Sequence, residues 1–64
     1  MAVSLLDARK NAGIKQKFVA ESLGVTPGTV CRWEKGQAIP KYGFIRLMAQ
    51  MYGIEPGEIF LPKR

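Results

Sequence analysis

A chain of 64 residues with ten Lys and Arg against five Asp and Glu is too short for a catalytic domain with a sizeable pocket, because a chain this size buries only about 60% of its unfolded surface. Its net charge of +5 favours polyanionic partners. The 47% of hydrophobic residues supply one small core, with no apolar run near the roughly 20 residues of a membrane span.

Glycine and proline punctuate the chain, and the segments between them carry apolar residues at helical spacing with no alternating strand pattern. Ser4 caps a first predicted helix running to about Ala12, with Leu5, Ala8 and Ala12 on one face and Gly13 at its end. Ile14 then packs under the turn. A second helix from Lys15 or Gln16 to Leu23 turns Val19, Ala20 and Leu23 inward, and Gly24 ends it. Thr26 is the N-cap of the third, with Pro27 at the first helical position and Gly36 as the stop. Tyr42, Ile45, Met48, Ala49 and Tyr52 mark the inner side of a fourth helix that Gly53 ends, with Gly43 weakening its first turn. Pro56 opens a short fifth helix whose Ile59 and Phe60 close the core, and "LPKR" reads as a tail. The expectation is one all-α domain of five short helices and no strand, spanning residues 1–64.

The start of the chain lacks the basic segment and long apolar stretch of a signal peptide, and the lone Cys31 has no internal disulfide partner. A reducing cytoplasm is expected. Six basic residues (Lys15, Lys17, Arg32, Lys35, Lys41 and Arg46) but only two acids, Glu21 and Glu34, lie between positions 15 and 46, which makes the middle of the chain the expected contact surface.

At roughly 100° per residue, Val30 and Trp33 fall on one side of the third helix, and Gly28, Cys31, Arg32 and Lys35 on the other. Trp33 therefore belongs to the core. Glu34 lies close to that buried side, where an unpaired carboxylate is costly, so it needs a cationic partner.

Gln16 opening a helix, then "VAESLGVTPGTVCRWEKG", then Pro40 and "IRLMAQMYGI" together resemble the helix-turn-helix domain of the lambda-repressor and Cro class, also called the XRE-like regulators. The resemblance covers about Leu5 to Phe60. It implies a lambda-repressor-like five-helix domain whose helix-turn-helix, about residues 16–35, puts its second helix of the pair in the major groove of double-stranded DNA. By the same resemblance, Pro27, Gly28, Thr29 and Arg32 approach base edges. Gln16, Lys35 and Lys41 contact phosphates, and Arg9 pairs with Glu34. Lys15 and Lys17 join the phosphate set as flexible point charges, whereas Arg32 has the fork geometry for guanine O6 and N7. Lys10, Lys63 and Arg64 lie outside the unit and read as solvated charges. Pro27 and Gly28 carry no hydrogen-bonding side chain, so direct readout rests on Arg32 and Thr29, with DNA shape taking a larger share than usual.

Ile54, Ile59, Phe60 and Leu61 are too apolar for full exposure at the end of so small a domain. They are candidates for a homodimer interface, the arrangement family members commonly use. No histidine, cysteine pair or Gly-rich phosphate loop is present, so no catalysis, metal, cofactor or small-molecule ligand is expected. The function expected is a small Cro-type phage or bacterial regulator, acting as a repressor on a palindromic operator in a bacterial or phage-infected cytoplasm. Two alternatives use the same scaffold: an antitoxin regulating its own operon, and a protein-interaction module whose outward stripe would be more apolar or of mixed sign.

Overall fold

A computed structural model describes residues 2–61, of Phe60 the main chain only. Pro62, Lys63 and Arg64, the end of the expected tail, lie outside the described residues. In chain order come β1 (Val3–Ser4), α1 (Leu5–Asn11), α2 (Gln16–Leu23), α3 (Pro27–Glu34), α4 (Tyr42–Tyr52), a single 3-10 turn (Pro56–Glu58) and β2 (Ile59–Phe60). The architecture is all-α, with four α-helices. The expected fifth helix is replaced by the 3-10 turn and by β2, which pairs in parallel with β1 in the register Val3 to Ile59 and Ser4 to Phe60. Two residues per strand are too few to show a period of two, so the sequence pattern could not reveal them.

Local chemistry sets the boundaries. Ser4 accepts a hydrogen bond from the Asp7 N–H at 3.1 Å and so caps α1. Gly24 and Gly53 end α2 and α4 at φ values of 74° and 75°, a left-handed conformation that a side chain would strain.

The core takes one face from each helix: Leu5 and Ala8, Val19 and Ala20, Val30 and Trp33, Met48 and Tyr52. Ile14 and Leu23 pack against it half-buried. Trp33 meets Phe44 in a tilted ring contact, centroids 5.3 Å apart, and fixes α3 against α4. Two residues expected inward lie outside. Ala12 falls just beyond the end of α1 and is exposed. Tyr42, in the first turn of α4, is 65% exposed because α4 meets the core only from Phe44 onward.

Candidate nucleic-acid interface

Between α2 and α3 the chain turns in three residues, Gly24 to Thr26. The Val25 N–H donates to the Ala20 carbonyl at 3.0 Å, closing the end of α2, and the half-buried Val25 side chain packs on the core. Thr26 then adopts an extended backbone and its hydroxyl accepts from the Thr29 N–H at 3.3 Å, so α3 starts at once with Pro27 as its first residue. The two hydroxyls of Thr26 and Thr29 lie 3.0 Å apart. One hydroxyl proton bridges them, which leaves the other free for an external acceptor. Thr26, expected only as a cap, thus also holds the Thr29 hydroxyl, and its spacing of three from Thr29 is the sequence signal for that contact.

On α3, Pro27, Gly28 and Arg32 are exposed, Thr29 is half-buried, and Val30 and Trp33 face the core. Cys31, expected on the outward face, is half-buried instead. An ideal Cβ placed at Gly28 would meet only the Thr26 hydroxyl, at 3.9 Å, so this glycine is not required by packing.

The far end of α3 is clamped. Glu34 receives Arg9 Nε at 2.7 Å and Arg9 Nη2 at 3.3 Å from α1, and the Gln16 side-chain amide at 2.9 Å from α2. The Arg9 guanidinium also donates to the Ile14 carbonyl at 2.9 Å. Side-chain exposure of 13% for Arg9 and 4% for Glu34 means that the pair is largely removed from water, where hydrogen bonds saturating the carboxylate decide whether a pair survives burial. The bond to Glu34 holds the Arg9 pKa above its ordinary value, against the opposing effect of burial. Nearby, Tyr52 has a buried hydroxyl with no hydrogen-bond partner among the described residues. Burial first, and the Glu34 carboxylate second, push its pKa up to about 12.

The Gln16–Glu34 bond brings the start of α2 to the end of α3, so Lys15 and Gln16 lie beside Glu34 and Lys35. Lys15, Lys17, Lys35 and Lys41 are exposed, and like Arg32 none of them is in an ion pair among the described residues. Lys15 and Lys41 occupy the N-cap positions of α2 and α4, which have no side-chain cap, in contrast to α1 and α3 with Ser4 and Thr26. A lysine there leaves the first N–H groups unsatisfied and adds charge at the positive end of the helix dipole, a local cost that an approaching anion would remove.

Of the expected dimer residues, Ile54, Ile59 and Leu61 are half-buried against the core, which leaves only part of each for a partner. The Phe60 side chain lies outside the described residues. Arg46 stands on the outer face of α4, where it lines a groove with Glu55. Among the described residues no cluster of three or more His, Cys, Asp or Glu could hold a metal, and no helix is long and apolar enough to cross a membrane.

A family model described as helix-turn-helix matches residues 5–59, a span that includes α1 to α4 and the 3-10 turn. No curated protein and no solved structure gives a significant match.

Proposed function

Because the chain belongs to the lambda-repressor-like, XRE-type helix-turn-helix family of DNA-binding regulators, we propose that it is a sequence-specific repressor that binds a palindromic operator as a homodimer and occludes promoter DNA. The observation that carries this reading is α3 itself. Its exposed face bears Arg32 free of any ion pair among the described residues, while its C-terminal end is anchored to α1 and α2 through Glu34.

In this reading Arg32 takes guanine O6 and N7 and supplies about 1 to 3 kcal/mol of discrimination. Thr29, held by Thr26, offers a hydroxyl to a base or phosphate, and Pro27 and Gly28 admit the helix backbone close to the groove. Lys15, Gln16, Lys17, Lys35 and Lys41 engage phosphates, which set register without reading sequence. The two helix starts without a side-chain cap support the placement of Lys15, Gln16 and Lys41 on the backbone. The same reading makes residues 1–64 a single DNA-binding domain that works in the cytoplasm of a bacterium or a phage-infected cell, with no small-molecule effector.

Selection of bound sequences from a random duplex pool tests the proposal. A two-fold symmetric motif with half-sites about one DNA turn apart is the expected result. A pool without enrichment, or no binding to random duplex even at low salt, overturns it.

A further inference from the structure

Thr26 and Thr29 are the N-cap and the third helical residue of α3, and their hydroxyl oxygens lie 3.0 Å apart, within hydrogen-bond distance. Thr26 Oγ1 also accepts from the Thr29 N–H. Two arrangements of protons satisfy both contacts. In one, Thr29 gives its hydroxyl proton to Thr26 and keeps only lone pairs for an outside group. In the other, Thr26 gives its proton to Thr29, whose own O–H is then left for an outside acceptor. The spacing is that of a capping box, and two other helix starts carry an acid at the same third position, Asp7 after Ser4 and Glu58 after Glu55. In α3 that place holds a hydroxyl.

We infer that Thr26 is a specificity-determining residue: by exchanging the bridging proton with Thr29 it lets Thr29 meet either a donor or an acceptor on a base edge, so the chain reads this base permissively. The inference rests on the DNA reading proposed above, with Thr29 placed at a base. Thr29 lies three residues before the exposed Arg32, on the same helical face and about 4.5 Å back along the axis. A base step is about 3.4 Å. With Arg32 on a guanine, Thr29 therefore falls on the neighbouring base pair. In the major groove adenine N6 and cytosine N4 donate, whereas guanine O6 and thymine O4 accept. Wild-type Thr29 serves all four, because either proton arrangement preserves the bond between the hydroxyls and the cap on the Thr29 N–H.

A hydroxyl pair also suits the face on which it sits. A carboxylate at the third position, as at Asp7 and Glu58, would set negative charge beside Arg32 and against any phosphate approaching the start of α3. Thr29 engages the cap without that charge. Thr26 is exposed, and the Cβ position of Gly28 has only the Thr26 hydroxyl near it, at 3.9 Å, so Gly28 lays no side chain over the pair. A base edge can reach both hydroxyls.

Motif selection from a random duplex pool with variants of Thr26 and Thr29 tests the inference. Thr26→Asp keeps a good N-cap but offers acceptor oxygens alone, so Thr29 must donate inward and meets the base with lone pairs only. Wild type is expected to accept donor and acceptor bases alike at the position next to the one that Arg32→Ala alters, and Thr26→Ser to match it. T26D is expected to favour adenine or cytosine there over guanine or thymine by about tenfold, the effect of leaving a desolvated polar group unpaired. Its added charge weakens binding to every duplex alike and leaves the letter frequencies unaffected. Thr29→Val removes the hydroxyl and keeps the shape, so T26D/T29V is expected to lose the preference, whereas a carboxylate touching the base itself would retain it. Thermal unfolding checks that each variant folds. A T26D motif unchanged at that position, a preference that survives in T26D/T29V, or a wild type restricted to one letter there overturns the inference and leaves the repressor standing. A wild-type pool without enrichment removes both.

Discussion

The side-chain amide of Gln16, first residue of α2, donates to the carboxylate of Glu34, last residue of α3, at 2.9 Å. The two helices of the DNA-binding unit are thereby joined at the end away from their connecting turn, and Arg9 adds α1 to the same carboxylate. Beyond the core packing of Val30 and Trp33, the orientation of α3 is held by this one acidic side chain.

Removing that side chain is expected to be severe. Glu34→Ala leaves the Arg9 guanidinium largely buried without its counter-charge, at a cost of about 3 to 5 kcal/mol, a large share of the 5 to 15 kcal/mol typical of small domains. A guanidinium is not deprotonated in proteins, so Arg9 cannot shed its charge to escape. The double variant R9M/E34L is expected to be more stable than E34A alone, whereas Gln16→Ala costs only about 1 kcal/mol. Urea unfolding of the three variants checks the order, and an E34A chain as stable as wild type contradicts the clamp.

Arg32 and Lys41 test the proposed division between reading and holding. Arg32→Ala is expected to change the selected DNA motif at one position per half-site. Lys41→Ala should leave the motif intact, weaken binding alike on all sequences and reduce the slope of log affinity against log salt by about 1. Titrations at several salt concentrations, with motif selection alongside, distinguish them. An unchanged motif in R32A shows that direct readout lies elsewhere.

Gly28→Ala separates folding from binding. The site is exposed, helical and open to a methyl group, so alanine is expected to raise stability by up to about 1 kcal/mol. If the helix backbone enters the groove closely at this point, the same methyl lowers DNA affinity. Thermal unfolding and DNA titration of one variant therefore move in opposite directions. Unchanged affinity means that Gly28 does not approach the DNA.

Tyr52 predicts an alkaline limit. Its pKa rises from 10.0 to about 12 on folding, so the folded state holds this proton more tightly than the unfolded chain. That contribution is complete below about pH 10 and is lost as the pH rises through about 12, by on the order of 2 kcal/mol. Tyr52→Phe is expected to flatten this loss and to change stability at neutral pH by less than about 1 kcal/mol, because the hydroxyl it removes has no partner among the described residues. Unfolding curves from pH 8 to pH 12 (about the span the shift covers) on both proteins decide it.

What the residues disclosed in advance were features with local causes. Ser4, Thr26, Gly24 and Gly53 act on their own turn of backbone, so their roles were readable from type and position. Val19, Ala20, Val30, Trp33, Met48 and Tyr52 followed from a period of 3.6. The burial of Glu34 called for a cation, and the family resemblance supplied Arg9. The bond from Gln16 to the same carboxylate depends on distances across the fold, as does the pairing of Val3 with Ile59. Tyr42 and Ala12 failed because periodicity carries no information about how far along a helix its neighbours extend. Phe18 shows the converse: it is 56% exposed on the outer side of α2, and nothing in its apolar character announced that.

The strand pair Val3–Ser4 and Ile59–Phe60 closes the molecule by joining segments with four helices between them. Such a contact can form only after nearly the whole chain has been ordered, and its loop-closure entropy is the largest in the fold. It is thus a late event in folding and an early one in fraying. The α2–α3 unit depends instead on neighbours close in sequence and on the Glu34 clamp. Native-state hydrogen exchange should open the β1–β2 amides well before those of α2 and α3, and exchange of all of them together would show one indivisible unit. A helix-turn-helix insulated from the breathing of its own chain ends can keep its geometry in a molecule with very little stability to spare.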